Sequence, residues 1–194
     1  MDLYNKSRVP ADHNQGKTSV ELKVTNFGAQ SVIGIDRILK HIDRLPQFHL
    51  QRLKEITYDP QRLMPVIAGG DMETVPSNAQ GLFIQSHRTI AIHHIESEAQ
   101  FLHVLFHELG HHVYFQVIGS QLKKRWVTEI CRNDGFVSEY AARNAAEDFA
   151  ECYVAYLLEP DEFKSMRLKY RFFKESVFNQ QGYVLQADRV DFLA

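Results

Sequence analysis

The pattern of apolar and polar positions divides the chain into two kinds of segment. From Ser19 to Thr25, Val20, Leu22 and Val24 alternate with polar residues, which predicts a half-buried strand. From Ser31 to Arg44, Val32, Ile35, Ile38, Leu39 and Ile42 recur at helical spacing, with Ser31 as the expected N-cap and Pro46 ending the run. Leu53–Tyr58 and Leu63–Ala68 are short apolar runs either side of Asp59-Pro60, read as two strands or a strand and a loop. Gly69–Gln80 is turn-rich and reads as a surface loop. Gly81–His94 has two apolar arms around Gln85–Arg88, a hairpin pattern.

Helical spacing dominates the rest. Phe101, Leu102, Leu105, Phe106, Leu109 and Val113 form one apolar stripe, and acidic Glu96 and Glu98 mark a helix start that suits the positive end of its dipole. This helix is expected to run to about Ile118, before Gly119. Ser120–Arg132 is amphipathic and is broken by Asn133-Asp134-Gly135. Asn144–Leu158 predicts a further helix closed by Pro160, and Asp161–Phe178 one or two more. Strands in the first half and helices in the second make the expected fold class α+β. The expected layout is an arm over residues 1–18 and one domain over 19–194. Residues 19–118 would carry the sheet and one central helix, and 119–194 a helical half. The last 16 residues have no clear pattern.

Composition narrows the function classes. The 194 residues are 44% hydrophobic, enough for one domain with a core of its own. Formal net charge is −2, from 22 basic and 24 acidic residues, which argues against a nucleic-acid or membrane-surface partner. No apolar run approaches a membrane span, and the first residues lack the apolar core of a signal peptide. The expected location is cytoplasmic, with secretion by a signal-less route left open. Cys131 and Cys152 have no C-x-x-C spacing and read as ordinary reduced thiols, with a disulfide between them left open.

The candidate chemistry lies on the central helix, where His107-Glu108-Leu109-Gly110-His111 has the H-E-x-x-H form. Residues i and i+4 of a helix stack on one face, so His107 and His111 can share one metal ion. Glu108, one residue round, stands where a general base for an activated water belongs. A catalytic zinc takes three protein ligands and leaves a position open, so a third ligand must come from elsewhere. Glu147 and Glu151 share a face of the helix that follows, and one could bind metal while the other orients an imidazole from behind. Asn144-Ala-Ala-Glu147 also reads as a capping box in which Glu147 only satisfies a backbone N–H. Spacing alone leaves both open. His93, His94, His103, His112, Glu129, Asp134 and Glu139 are further possible ligands, His103 being read as a packed or orienting histidine.

A resemblance bears on this choice. Gly81-Leu82-Phe83, the strand ending at His93, the His107–His111 motif and the block Tyr140-Ala-Ala-Arg-Asn144-Ala-Ala-Glu147-Asp148-Phe149-Ala150-Glu151 together resemble the catalytic domain of anthrax lethal factor and the related Pro-Pro endopeptidases. The likeness runs from Gly81 to about Leu158, with no counterpart for residues 1–80. The stretch between His111 and Glu147 is somewhat shorter than in lethal factor. The resemblance implies a zincin-like metallopeptidase fold and one zinc per chain. It implies Glu147 as third ligand beside His107 and His111, and Tyr140 facing the reaction centre. A peptide or protein would then be the substrate. Glu151 is expected behind an imidazole, and one arm of the hairpin (Leu82, Phe83, Ile84 or Ile90, Ala91, Ile92) along an extended substrate. Two rivals are a zincin that acts chiefly by binding a protein partner, and a non-catalytic metal or interaction module. Oligomeric state is not legible.

Overall fold

The computed structural model describes residues 22–67, 69 and 78–178, together with the backbone of Tyr4–Asn5. The expected loop over Gly69–Gln80 and the patternless C-terminal residues fall largely or wholly outside that range.

Five strands make one mixed sheet: β1 (Tyr4–Asn5), β2 (Lys23–Thr25), β3 (Glu55–Tyr58), β4 (Gly81–Ile84) and β5 (Thr89–Ile92), in spatial order β1-β2-β3-β5-β4. β2, β3 and β5 are parallel, while β1 and β4 run antiparallel at the two edges. The expected N-terminal arm thus contributes a strand, with Tyr4 opposite Val24. The β4–β5 hairpin forms where the pattern placed it, and Arg88 takes a left-handed conformation at the end of its turn (φ 57). β5 lies between β3 and β4, and its Ile90, Ala91 and Ile92 are fully buried. An interior strand reads as a continuous apolar run for this reason. Among the described residues, then, β4 is the outer arm of the hairpin, and Ile90, Ala91 and Ile92 of β5 are not at an edge that an extended peptide could join.

Two local expectations also change. Helix α1 spans Ile35–Asp43 with Gly34, not Ser31, at its N-cap. The Gln30 side chain accepts hydrogen bonds from the N–H groups of Val32 and Ile33 and holds the preceding residues in a bend. Leu63–Ile67 is a short helix (α2) rather than a strand, because the Asp59 carboxylate accepts from the N–H groups of Leu63 and Met64.

The central helix α3 runs Glu98–His112, capped by Ser97 Oγ accepting from Gln100 N–H, and unwinds through a π-helical turn at Val113–Val117. Then come α4 (Ser120–Arg125) with a second π turn at 126–130, α5 (Ala145–Leu158), α6 (Pro160–Phe163) and α7 (Arg167–Phe172). α3 packs on β4 and β5 on one side and along α5 on the other. Phe149 of α5 forms a buried aromatic cluster with Trp126, Phe172 and Phe173, and Trp126 Nε1–H donates to Ala145 O at 2.7 Å. A buried ion pair, Lys169 Nζ to Asp148 Oδ1 at 2.6 Å, ties α7 to α5. The fold is α+β with a largely helical C-terminal half. Both cysteines are free and buried. Among the described residues, no helix is long and apolar enough to cross a membrane.

Candidate metal centre

Two glycines set the spacing of the elements that meet here. A Cβ on Gly110 would stand 2.7 Å from Ala150 Cα, so α3 and α5 touch backbone to backbone at the H-E-x-x-H turn. A Cβ on Gly81 would stand 2.6 Å from Val104 and 3.0 Å from Glu108 Cγ, so β4 begins directly against α3. The histidine face of α3, the first turns of α5 and the start of β4 are thereby drawn to one place.

His107 Nε2, His111 Nε2 and Glu147 Oε2 converge there. The imidazole nitrogens are 3.1 Å apart, and Glu147 Oε2 lies 3.2 Å from His107 Nε2 and 3.1 Å from His111 Nε2, a nearly equilateral triangle. Glu147 Oε2 is buried and has no aligned hydrogen-bond donor. Two atoms bound tetrahedrally to one zinc at about 2.0–2.1 Å are roughly 3.3–3.4 Å apart. The triangle is therefore close to the size that zinc requires, and these three residues could hold a metal ion.

Asn144 does cap α5, its Oδ1 accepting from the N–H groups of Ala146 and Glu147. The Glu147 carboxylate nevertheless turns to the histidines, which answers the capping-box alternative for its side chain. His107 Nδ1 meets Glu151 Oε1 at 2.7 Å. That contact keeps a proton on Nδ1, so Nε2 is the nitrogen that could bind a metal once its own proton is displaced. The other Glu151 oxygen, Oε2, accepts from Ser138 O–H at 2.7 Å.

The electrostatics favour positive charge at the centre. Burial disfavours a charged His107, but the close Glu147 carboxylate, the bond to Glu151 and the nearby Glu108 outweigh it and push its pKa up to about 10. Burial also works against the Glu147 carboxylate, yet the two imidazoles hold its pKa down at about 2. A proton and a metal ion compete for the same atoms in such a site.

Glu108 is 7% exposed, and burial raises its pKa, partly opposed by His107, His111 and a backbone hydrogen bond from Phe83. Tyr140 is 41% exposed, with its ring 5.7 Å from that of His107 and the Arg143 guanidinium 4.2 Å above it. Phe115, 38% exposed, stacks on His111 at 6.2 Å. The sequence pattern does not point to Phe115 or Ser138. Phe115 lies four residues after His111 on the same helix, a spacing that could have pointed to it.

The other possible ligands are placed elsewhere. His93 Nδ1 bonds Asp59 O and His112 Nε2 bonds Gln51 O, both rings being buried. His94 pairs with Glu96, and Glu129 with Arg125. Asp134 accepts from the N–H groups of Leu168 and Lys169 at the start of α7. Glu139 is exposed. His103 is exposed, not packed, and its charge acts on Glu151 of α5.

Residues 77–187, over half of the chain, match a family model described as "Putative zinc-binding metallo-peptidase". No curated protein and no solved structure matches the chain.

Proposed function

The chain belongs to this zinc-binding metallo-peptidase family, and on that premise we propose that it cleaves peptide bonds at a single zinc site formed by His107, His111 and Glu147, with Glu108 as general base. The observation that carries the reading is the triangle of His107 Nε2, His111 Nε2 and Glu147 Oε2, with sides of 3.1, 3.1 and 3.2 Å.

Zinc held there would supply a water of lowered pKa, about 7, and a Lewis acid for the scissile carbonyl. Glu108 takes the proton from the attacking water and passes it to the leaving amine. Its burial raises its affinity for that proton, as a base working near neutral pH needs. Tyr140 donates its O–H to the carbonyl oxygen as negative charge develops on it. The likeness of the Tyr140–Glu151 block to the lethal factor and Pro-Pro endopeptidase sequences supports that role, as does the ring's place beside His107. Glu151 holds the Nδ1 proton of His107, fixing the ring's tautomer and tilt. Among the described residues β4 is the outer strand on its side of the sheet, and its backbone from Gly81 to Ile84, apart from the Phe83 group that bonds Glu108, pairs with an extended peptide. The substrate is a peptide or protein, in line with the balanced charge of the chain. A buried carboxylate beside the triangle has no use in a structural zinc site closed by four ligands, which favours catalysis over a non-catalytic module.

Glu108→Gln tests the reading, since it removes the base and keeps the shape. The variant is expected to bind zinc like the wild type and to lose nearly all cleavage of a peptide library. Zinc-loaded Glu108→Gln protein with wild-type turnover would refute it.

A further inference from the structure

Glu151 has two oxygens, and only one of them faces His107. Oε1 accepts from His107 Nδ1–H at 2.7 Å, while Oε2 accepts from the Ser138 hydroxyl at 2.7 Å. The Ser138 oxygen in turn accepts from the Ala141 N–H at 3.0 Å. Two donor lines therefore meet at Glu151: Ala141 N–H donates to Ser138 Oγ and Ser138 O–H to Glu151 Oε2 from one side, and His107 Nδ1–H donates to Glu151 Oε1 from the other. Ala141 opens the single 3₁₀ turn 141–143, and Tyr140 is the residue immediately before it. Ala141 is itself fully buried, so this end of the turn is anchored, whereas Tyr140 and Arg143 stand outward.

Resting on the zinc-peptidase reading above, we propose that Ser138 is a positioning residue that joins the carboxylate behind His107 to the turn carrying Tyr140, so that holding the metal and aiming the tyrosine are one ordering event.

The physical argument has two parts. A carboxylate bonded through one oxygen can still swing about its Cγ–Cδ bond. Bonds to both oxygens from opposite partners fix its plane, and with it the direction of the His107 ring. A three-residue turn makes one or two weak bonds of its own and holds a side chain loosely. The Ser138 acceptor adds a bond to its first buried N–H. Hydrogen bonds in such a chain polarise one another, and those to a carboxylate are the stronger kind. Because the coupling is a free energy between two sites, it is reciprocal: zinc must tighten the Tyr140 turn as much as the turn tightens zinc.

A serine of this kind could also merely cap a turn, and that role predicts no link to zinc. The discriminating experiment measures zinc affinity, peptide-library kcat and KM, and hydrogen exchange at the Ala141 amide. It uses the wild type, Ser138→Ala, Ser138→Thr, Glu151→Ala and the double variant Ser138→Ala/Glu151→Ala. Ser138→Ala is expected to weaken zinc about tenfold, the low end for a group that orients a ligand, and to lower kcat with KM held. Ser138→Thr keeps the hydroxyl and should restore both. In the Glu151→Ala background, loss of Ser138 should weaken zinc no further. Zinc should slow exchange of the Ala141 amide in the wild type and not in Ser138→Ala. Wild-type zinc affinity in Ser138→Ala, or additive effects in the double variant, overturns the proposal alone. A wild-type protein that takes up no zinc overturns the underlying reading and the relay with it.

Discussion

Gly110 and Ala150 meet so closely that a Cβ on the glycine would stand 2.7 Å from the alanine Cα. The contact lies between the two helices that carry His107, His111, Glu147 and Glu151, so helix separation there sets the size of the triangle. Gly110→Ala must push α3 and α5 apart, because the obstructing atom is backbone and not the end of a flexible side chain. We expect a loss of about 1–3 kcal/mol in thermal or denaturant unfolding, the scale of an overpacked core, with weaker zinc binding. Unfolding and zinc titration of the variant check this. Undiminished zinc affinity would show that the centre does not depend on that spacing.

Glu147 and Glu151 should differ in kind. Glu147→Ala removes one corner of the triangle and is expected to abolish stoichiometric zinc binding. Glu151→Ala removes the partner of His107 Nδ1 and should weaken zinc by roughly 10–100-fold. A capping role for Glu147 would instead cost about 0.5–2 kcal/mol of stability and leave zinc affinity alone. Metal titration and thermal melts on the same proteins separate these outcomes.

Tyr140→Phe removes a single O–H and keeps the ring beside His107. A donor that acts on the developing oxyanion is felt mainly in the transition state. We expect kcat to fall on the order of 10²–10³-fold, with KM and zinc content nearly unchanged. Steady-state kinetics on any cleaved library peptide gives the answer, and an unchanged kcat would remove Tyr140 from the chemistry.

Acid should destabilise the protein through two buried histidines outside the triangle. Burial lowers the pKa of His49 from 6.5 to about 4, and that of His112 likewise to about 4. His49 Nδ1 contacts the Tyr153 hydroxyl and its Nε2 contacts Val177 O, each at 2.9 Å. Between pH 6.5 and 4 the unfolded chain binds protons that these folded rings refuse. Stability is therefore full above about 6.5 and is lost as pH falls toward 4, by on the order of 3 kcal/mol for each ring. Melts of metal-free wild type and His49→Gln/His112→Gln across that window check the sign. The variant should start lower at neutral pH and fall less steeply.

The sequence made the site's helices legible and left its geometry hidden. The strong 3.6-residue stripe around His107–His111 and the Asn144 cap placed α3 and α5 to within a few residues, and the alternation around Gln85–Arg88 placed the hairpin. What failed was local chemistry too short to carry a period. Five residues at Leu63–Ile67 became a helix because Asp59 caps them, and Gln30 rather than Ser31 shaped the entry to α1. The hairpin pattern could not say which arm was interior, since that depends on β3 pairing with β5. Ser138 escaped notice because its partner Glu151 is distant in sequence and no spacing rule joins them. The meaning of Gly110 likewise emerges only when α5 lies against it.

The most direct measurement is zinc stoichiometry and peptide hydrolysis followed together in one sample. The protein is stripped with a chelator and then titrated with zinc. The account predicts that hydrolysis rises in proportion to bound zinc and saturates at one ion per chain. Equal hydrolysis by the metal-free and zinc-loaded protein, or saturation without any cleavage, would contradict it.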